Sequence, residues 1–319
     1  MANQVLQLER EIKIKYNPPS SKKVQLVGDG SIICRFDKTP PPIKPTDVIC
    51  PHFLELKWAN GCDFRCAWCY LQGTYRFTGM APRIKDYIKI ESHTRAFLTN
   101  GSQPEVLNTG ELADSLLSEN TKQPFSKFII PMFEAQNKHR VLLLTKSPNV
   151  KNLLGFEETP MQAIVSFSLN AEAVSKKWEK APTVKSRIEA ARKVSEKGYE
   201  TRVRIDPMVP IENWQKHYFE LIDQIFASFR PARITIGSLR GLQSTINNAA
   251  DKSWTVYLSE SSNWGKKIDF KLRYQMYSTV LKYLESKYGY KNVALCKETK
   301  EMWEKLNFDF QKVRCNCIL

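Results

Sequence analysis

The chain has 319 residues, 42% of them hydrophobic and 25% charged, and its 48 Lys and Arg outnumber 33 Asp and Glu to give a net charge of +15. That length suits one large domain with a closed core, or a core with a small accessory domain. The composition excludes a low-complexity chain; no internal repeat of the solenoid kind is found, and no apolar run approaches the roughly 18 residues of a membrane-spanning helix.

Residues 1–50 read as an irregular basic extension, because "YNPPSS" and "KTPPPIKPTD" are too rich in proline for helix interiors or central strands. The opening "MANQVLQLEREIKIKY" mixes charge into every turn and does not read as a secretory signal, so the expected compartment is the cytoplasm, with no membrane partner. "FLELKW" (Phe53 to Trp58) alternates as a strand does and leads into "GCDFRCAWCYLQGTY". "EVLNT" (Glu105 to Thr109) is a short apolar strand, and "QPFSKFIIPMFEAQNK" has helical character before the buried strand "HRVLLLTKS". "AIVSFSLN" (Ala163 to Asn170) is the next strand. An amphipathic helix over Val184 to Lys197 follows and stops at Gly198. "TRVRIDPMVP" is a strand, "NWQKHYFELIDQIFASF" a helix with Asn213 as its expected cap, and "ARITIGSL" a further strand. A long helix from Phe270 to Tyr288 precedes a tail containing "ALCKE" and "RCNCIL".

Strand and helix thus alternate about six times between residues 53 and 240, the pattern of βα units around a parallel sheet. Polar residues and glycines fall at the strand C-terminal ends: Thr109-Gly110-Glu111, Thr145-Lys146-Ser147, Ser168 with Asn170, Asp206, and Gly237-Ser238. In parallel βα folds that rim is where sites are built. The positive charge favours a polyanionic partner, nucleic acid first, unless it reflects a generally basic source proteome.

There are eight cysteines. In a cytosolic chain disulfides are not expected, and clustered cysteines read as metal ligands or reactive thiols. Cys62, Cys66 and Cys69 are spaced Cys-x3-Cys-x2-Cys, with no His or Cys in the next twenty residues to complete a zinc tetrahedron. Three thiolates on a four-iron cluster would leave one iron open to a substrate or cofactor.

This motif resembles the signature of the radical SAM superfamily. There, three cysteines hold a 4Fe-4S cluster whose open iron chelates the amino and carboxylate groups of S-adenosylmethionine (SAM). Trp68 matches the motif's aromatic position near the adenine. Gly110 and Glu111 resemble the Gly-Gly-Glu segment that receives the SAM amino group. Ser168 and Asn170 stand where polar side chains meet the ribose and the methionine carboxylate, and Lys146 is placed to neutralise that carboxylate. The resemblance implies a partial (β/α)6 barrel over residues 51–240, with the N-terminal extension before it and a C-terminal helical cap over 241–319.

Within the superfamily the chain resembles spore photoproduct lyase over most of residues 53 to 240. "CAWCYLQGT", "LLLTKSPNV", "VSFSLNAEAV", "RIEAARKVSEKGY" and "ENWQKHYFELID" occur in the same order as the corresponding segments. This implies reductive SAM cleavage to a 5′-deoxyadenosyl radical, lyase action on a UV-induced thymine dimer in DNA, and an electron donor such as a flavodoxin or ferredoxin. Tyr70 resembles a lyase tyrosine used in radical transfer. The departure is a missing cysteine: that lyase uses one just past its second strand as a hydrogen-atom donor, and here no cysteine lies between Cys69 and Cys296.

Cys315 and Cys317, with Cys296, are expected to bind a second Fe-S cluster, to donate a hydrogen atom, or to guard the site on a mobile tail; otherwise they are free surface thiols. Cys34 and Cys50 are expected to be structural, although Cys50-Pro51-His52 is within reach of a metal. Three functions remain in view: a DNA lyase, a radical SAM enzyme acting on RNA, a peptide or a small molecule, and a non-enzymatic zinc module that binds nucleic acid.

Overall fold

A computed structural model describes residues 32–36, 41–100, 103–312 and 314–319. Thirteen strands are assigned among them: β1 (Ile33–Arg35), β2 (Leu54–Leu56), β3 (Ala59–Asn60), β4 (Arg83–Ile84), β5 (Val106–Asn108), β6 (Arg140–Thr145), β7 (Ala163–Leu169), β8 (Glu200–Met208), β9 (Arg233–Ser238), β10 (Arg240–Gly241), β11 (Glu260–Ser262), β12 (Gly265–Lys267) and β13 (Val293–Leu295). Eight of these form one sheet in the order β1-β2-β5-β6-β7-β8-β9-β13. β1 pairs antiparallel with β2, and every later pairing in the sheet is parallel. The sheet follows chain order, as successive right-handed βα crossovers require.

The sheet draws on both flanks of the expected barrel. β1 comes from the stretch read as irregular extension, and β13 from the stretch read as cap. The flanks also meet: Ile49 N–H donates to the Glu298 carbonyl at 2.8 Å beside a Val48–Thr299 bridge. The proline-rich "YNPPSS", before residue 32, lies outside the described residues.

Alternation along the central strands gives the sheet two unlike faces. Val165, Phe167, Val203, Ile205, Ile234 and Ile236 belong to the main apolar core, together with residues of the helices Val184–Glu196, Trp214–Ser228 and Phe270–Tyr288. Ser166, Arg202 and Thr235 occupy the alternate positions and are as deeply buried. What covers them is the C-terminal segment. The Asn316 amide donates to Ser166 Oγ at 3.0 Å and to the Val203 carbonyl at 2.8 Å, and its oxygen accepts from Thr235 Oγ1 at 2.9 Å. Arg202 donates to the carbonyls of Asn316 and Ile318, and Arg233 to that of Cys315. The tail is a packed part of the barrel.

The long helix spans Phe270–Tyr288 as its pattern predicts, with Asp269 capping the Leu272 N–H. Asn213 does precede the helix Trp214–Ser228, but in a left-handed conformation with no side-chain cap bond. Helices at Tyr87–Asn100 and Glu172–Trp178 were not foreseen. Among the described residues no helix is long and apolar enough to cross a membrane.

Candidate active site

A cavity of about 230 Å³ opens at the C-terminal ends of the parallel strands. Its wall takes Cys62, Cys66, Trp68, Cys69 and Tyr70 from the loop beyond β2, Gly110 and Glu111 from beyond β5, and Lys146 from beyond β6. Ser168 comes from β7, Arg204 and Asp206 from β8, Arg240 from β10, and Lys297 from beyond β13. One rim therefore collects side chains from positions as far apart as 62 and 297, the usual placement of sites in parallel βα folds.

The cysteine loop is fixed by backbone bonds to distant elements. Ala67 N–H donates to the Trp178 carbonyl at 2.8 Å, Lys180 N–H to Phe64 at 3.0 Å, and Cys62 N–H to Met80 at 2.9 Å. Gln72 donates to the carbonyls of Cys66 and Ala67. Trp68 packs on Trp178 with ring centroids 5.9 Å apart. Burial pushes the Cys62 thiol up to about 12, with the Asp114 charge adding to it, and burial also raises Cys66 and Cys69. The Lys146 cation pulls against that rise at all three.

Among the described residues no three His, Cys, Asp or Glu side chains come close enough to share one metal ion, the loop cysteines included. Three thiols on one loop, lining a cavity with a lysine, are a donor set that would hold a cluster.

Behind the loop a buried polar chain positions the next residues. Lys146 Nζ donates to Ser168 Oγ at 2.7 Å and lies 3.5 Å from Glu179. Glu179 also pairs with Arg187 at 2.9 Å, and Arg187 donates to the Ser168 carbonyl. Burial alone would raise the Glu179 carboxyl, but Lys146 and Arg187 hold it below its ordinary range. Asp114 accepts from Thr145 Oγ1 and from Lys146 N–H, both at 2.7 Å, so it sets the backbone that carries the lysine. Gly110 is required by close approach: a Cβ there would meet the Leu144 Cβ at 2.5 Å. Tyr70 is hydrogen-bonded through its hydroxyl to the Glu111 carbonyl at 2.9 Å.

On the opposite wall Asp206 braces two guanidiniums, with Arg240 at 2.7 Å and Arg204 at 3.2 Å. Burial opposes ionisation of Asp206, yet Arg240 and Arg204 hold its carboxyl well below the usual range. Lys297 Nζ lies 4.3 Å from the Phe36 ring and 4.1 Å from the Trp264 ring, and both rings line the cavity.

Of the residues expected to bind cofactor, Trp68, Gly110, Glu111, Lys146 and Ser168 come together around this cavity. Asn170 does not. Its amide donates to the Pro207 carbonyl at 2.8 Å and accepts from Tyr218 at 3.1 Å, fully buried, so it holds β7 to β8. Cys315 and Cys317 are neither surface thiols nor on a loose tail: both are buried in an apolar cluster with Phe36, Phe53 and Trp264, beside Cys50. Cys296 Sγ accepts from Arg204 at 2.9 Å. Cys34 contacts Glu55, and the His52 carbonyl accepts from Arg35. Glu179, Arg187, Arg204, Arg240 and Lys297 were missed; of these Arg204 carried a readable sign, as a charged residue of "RVRID" on a strand otherwise apolar.

An open parallel barrel with a three-cysteine loop beyond its first parallel strand is the arrangement of the radical SAM proteins. The spore photoproduct lyase family model matches residues 52–312, and the chain belongs to that family. It is 26% identical over 177 residues to a spore photoproduct lyase of Clostridium acetobutylicum, covering 53% of this chain and 50% of that one. To the Bacillus subtilis spore photoproduct lyase it is 25% identical over 177 residues, covering 54% and 51%. The chain thus matches about half the length of these curated relatives. A spore photoproduct lyase structure complexed with dinucleoside spore photoproduct superposes with a TM-score of 0.63 at 18% identity, covering 76% of this chain and 75% of that one. Streptococcus suis SuiB bound to a precursor peptide superposes at 0.54 and 14%, covering 77% and 48%.

Proposed function

We propose that this chain cleaves SAM reductively at a 4Fe-4S cluster held by Cys62, Cys66 and Cys69, and acts on photodamaged DNA as a lyase of the spore photoproduct type. The observation that carries this is the convergence of the three loop cysteines, Glu111, Lys146 and Ser168 on one cavity in a chain of this family. A reduced cluster held by these three thiols would supply the one-electron chemistry that cleaves SAM at its sulfonium.

In this reading Glu111 receives the SAM amino group at the mouth of β5. Lys146 faces the methionine carboxylate, held in place by Ser168 and Glu179. Trp68 covers the adenine side, and Gly110 lets the backbone approach. Tyr70, half-buried and hydrogen-bonded to the Glu111 carbonyl, would serve radical transfer. Arg204, Arg240 and Lys297 give the substrate wall a net positive character suited to a nucleotide, and the net charge of +15 suits a polyanion. A flavodoxin or ferredoxin is the proposed reductant. Cys315 and Cys317, expected from the sequence as hydrogen donors, lie in the apolar cluster with Phe36 and Trp264. A second cluster at Cys296, Cys315 and Cys317 is left out of this reading, because Cys296 is engaged by Arg204.

The absence of a cysteine between Cys69 and Cys296 favours a second reading, a radical SAM enzyme acting on RNA, a peptide or a small molecule. Anaerobic reconstitution with iron and sulfide, then dithionite and SAM with UV-irradiated DNA, separates the two. Release of 5′-deoxyadenosine with reversion of the dimer to thymine supports the lyase. Release of 5′-deoxyadenosine with the DNA untouched sends the search to other substrates.

A further inference from the structure

We propose that Cys296 is the thiol that returns a hydrogen atom to the substrate radical at this site. The inference rests on the lyase reading and names a residue within the same site. A cleavage begun by hydrogen abstraction leaves a carbon radical on the product, and it ends only when that carbon gains a hydrogen atom. Among protein side chains the S–H bond is the readiest source, and the three loop cysteines are assigned to the cluster.

The described residues offer five other thiols: Cys34, Cys50, Cys296, Cys315 and Cys317. Cys296 immediately follows β13, so it stands on the strand-end rim that builds the cavity. Its N–H donates to the Ile236 carbonyl at 2.7 Å, which fixes its backbone to β9. Its sulfur accepts from Arg204 at 2.9 Å and from Arg240 at 3.6 Å, and it hydrogen-bonds the Asp206 carboxylate. Arg204, Arg240 and Asp206 all line the cavity, as does Lys297, the next residue in the chain. Cys315 and Cys317 lie in the apolar cluster with Phe36, Phe53 and Trp264, where their thiols hydrogen-bond each other and not the charged wall. Burial pushes the Cys296 thiol up to about 12, against the pull of Arg204, so the sulfur keeps its hydrogen at neutral pH.

The step balances as one hydrogen-atom transfer. The S–H bond of Cys296 breaks, a C–H bond forms on the substrate carbon, and the unpaired electron passes to sulfur. A thiol reductant in solution then restores the thiyl by giving it one hydrogen atom.

The test compares wild type with Cys296→Ser in D2O on UV-irradiated DNA, reading deuterium in the repaired thymine by mass spectrometry alongside iron content. Serine keeps a polar contact for Arg204 and Asp206, but its O–H bond is too strong for a carbon radical to break. The wild type should place one solvent deuterium in the product. In the variant, labelled product should fall at least about tenfold in favour of radical by-products, with iron content unchanged. Equal labelled product from the variant would overturn the assignment of Cys296 alone, as would an unlabelled wild-type product. Wild type that releases 5′-deoxyadenosine and leaves the DNA untouched would overturn the lyase reading and the inference with it.

Discussion

The ammonium of Lys146 donates to the hydroxyl of Ser168 at 2.7 Å, joining the C-terminal ends of two neighbouring parallel strands at the cavity wall. Glu179 and Arg187 stand behind the pair, with Glu179 and Arg187 both almost fully excluded from solvent. The lysine is thus aimed by a charge network. Removing it should affect ligand binding more than iron binding.

Lys146→Met should weaken SAM binding roughly 10- to 100-fold, the scale of one charge-assisted contact. Equilibrium binding of SAM to the reconstituted protein, with iron content measured on the same sample, checks this. Glu179→Gln acts differently: it leaves Arg187 buried without its carboxylate and should cost about 3–5 kcal/mol in a urea melt.

Asp206 should make the fold acid-sensitive. Its carboxyl stays ionised in the folded chain below its ordinary 3.8, because Arg240 and Arg204 outweigh the cost of burial. As pH falls, the unfolded chain takes up this proton first. The stabilisation is therefore complete above about pH 4 to 5 and is lost as pH drops through the lower folded value. Asp206→Asn should reduce stability at pH 7 by about 3–5 kcal/mol, by stranding two guanidiniums, and should flatten the acid limb. Urea melts of both proteins at pH 7 and at about pH 2.5 give the comparison.

Asn316→Ala should test whether the tail belongs to the barrel. It removes the bonds to Ser166, Val203 and Thr235 and leaves their buried polar atoms without this partner. A loss of about 2–4 kcal/mol is expected in chemical denaturation. A change within experimental error would mean that the tail is peripheral to the fold.

DNA binding should depend steeply on salt if the positive charge serves it. Each phosphate contact contributes a slope of about −0.9 in log K against log salt. A titration of duplex DNA between low and moderate salt should give a slope of several units. A flat response would favour a substrate other than nucleic acid.

The cysteine loop was legible because its residues lie within eight positions, and the strand ends because alternation and turn residues mark them locally. The Lys146–Ser168 pair was half legible: both residues stood at strand ends, but Glu179 just follows the helix Glu172–Trp178 and Arg187 lies on Val184–Glu196, with no distinguishing pattern. Asn170 misled because a polar residue at a strand end looks the same whether it faces a ligand or, as here, Pro207 and Tyr218. Asn316 and Ser166 meet across 150 positions, and nothing local in "RCNCIL" announces that it fills the polar face of the sheet. The helix Tyr87–Asn100 escaped notice because its apolar residues make no clean stripe.

The most direct test of the central claim is iron content and 5′-deoxyadenosine release from Cys66→Ala, beside wild type, after anaerobic reconstitution and reduction with dithionite. Wild type should bind about four irons per chain and release 5′-deoxyadenosine, while Cys66→Ala should lose the cluster and all SAM cleavage. SAM cleavage by Cys66→Ala at the wild-type rate would contradict the account.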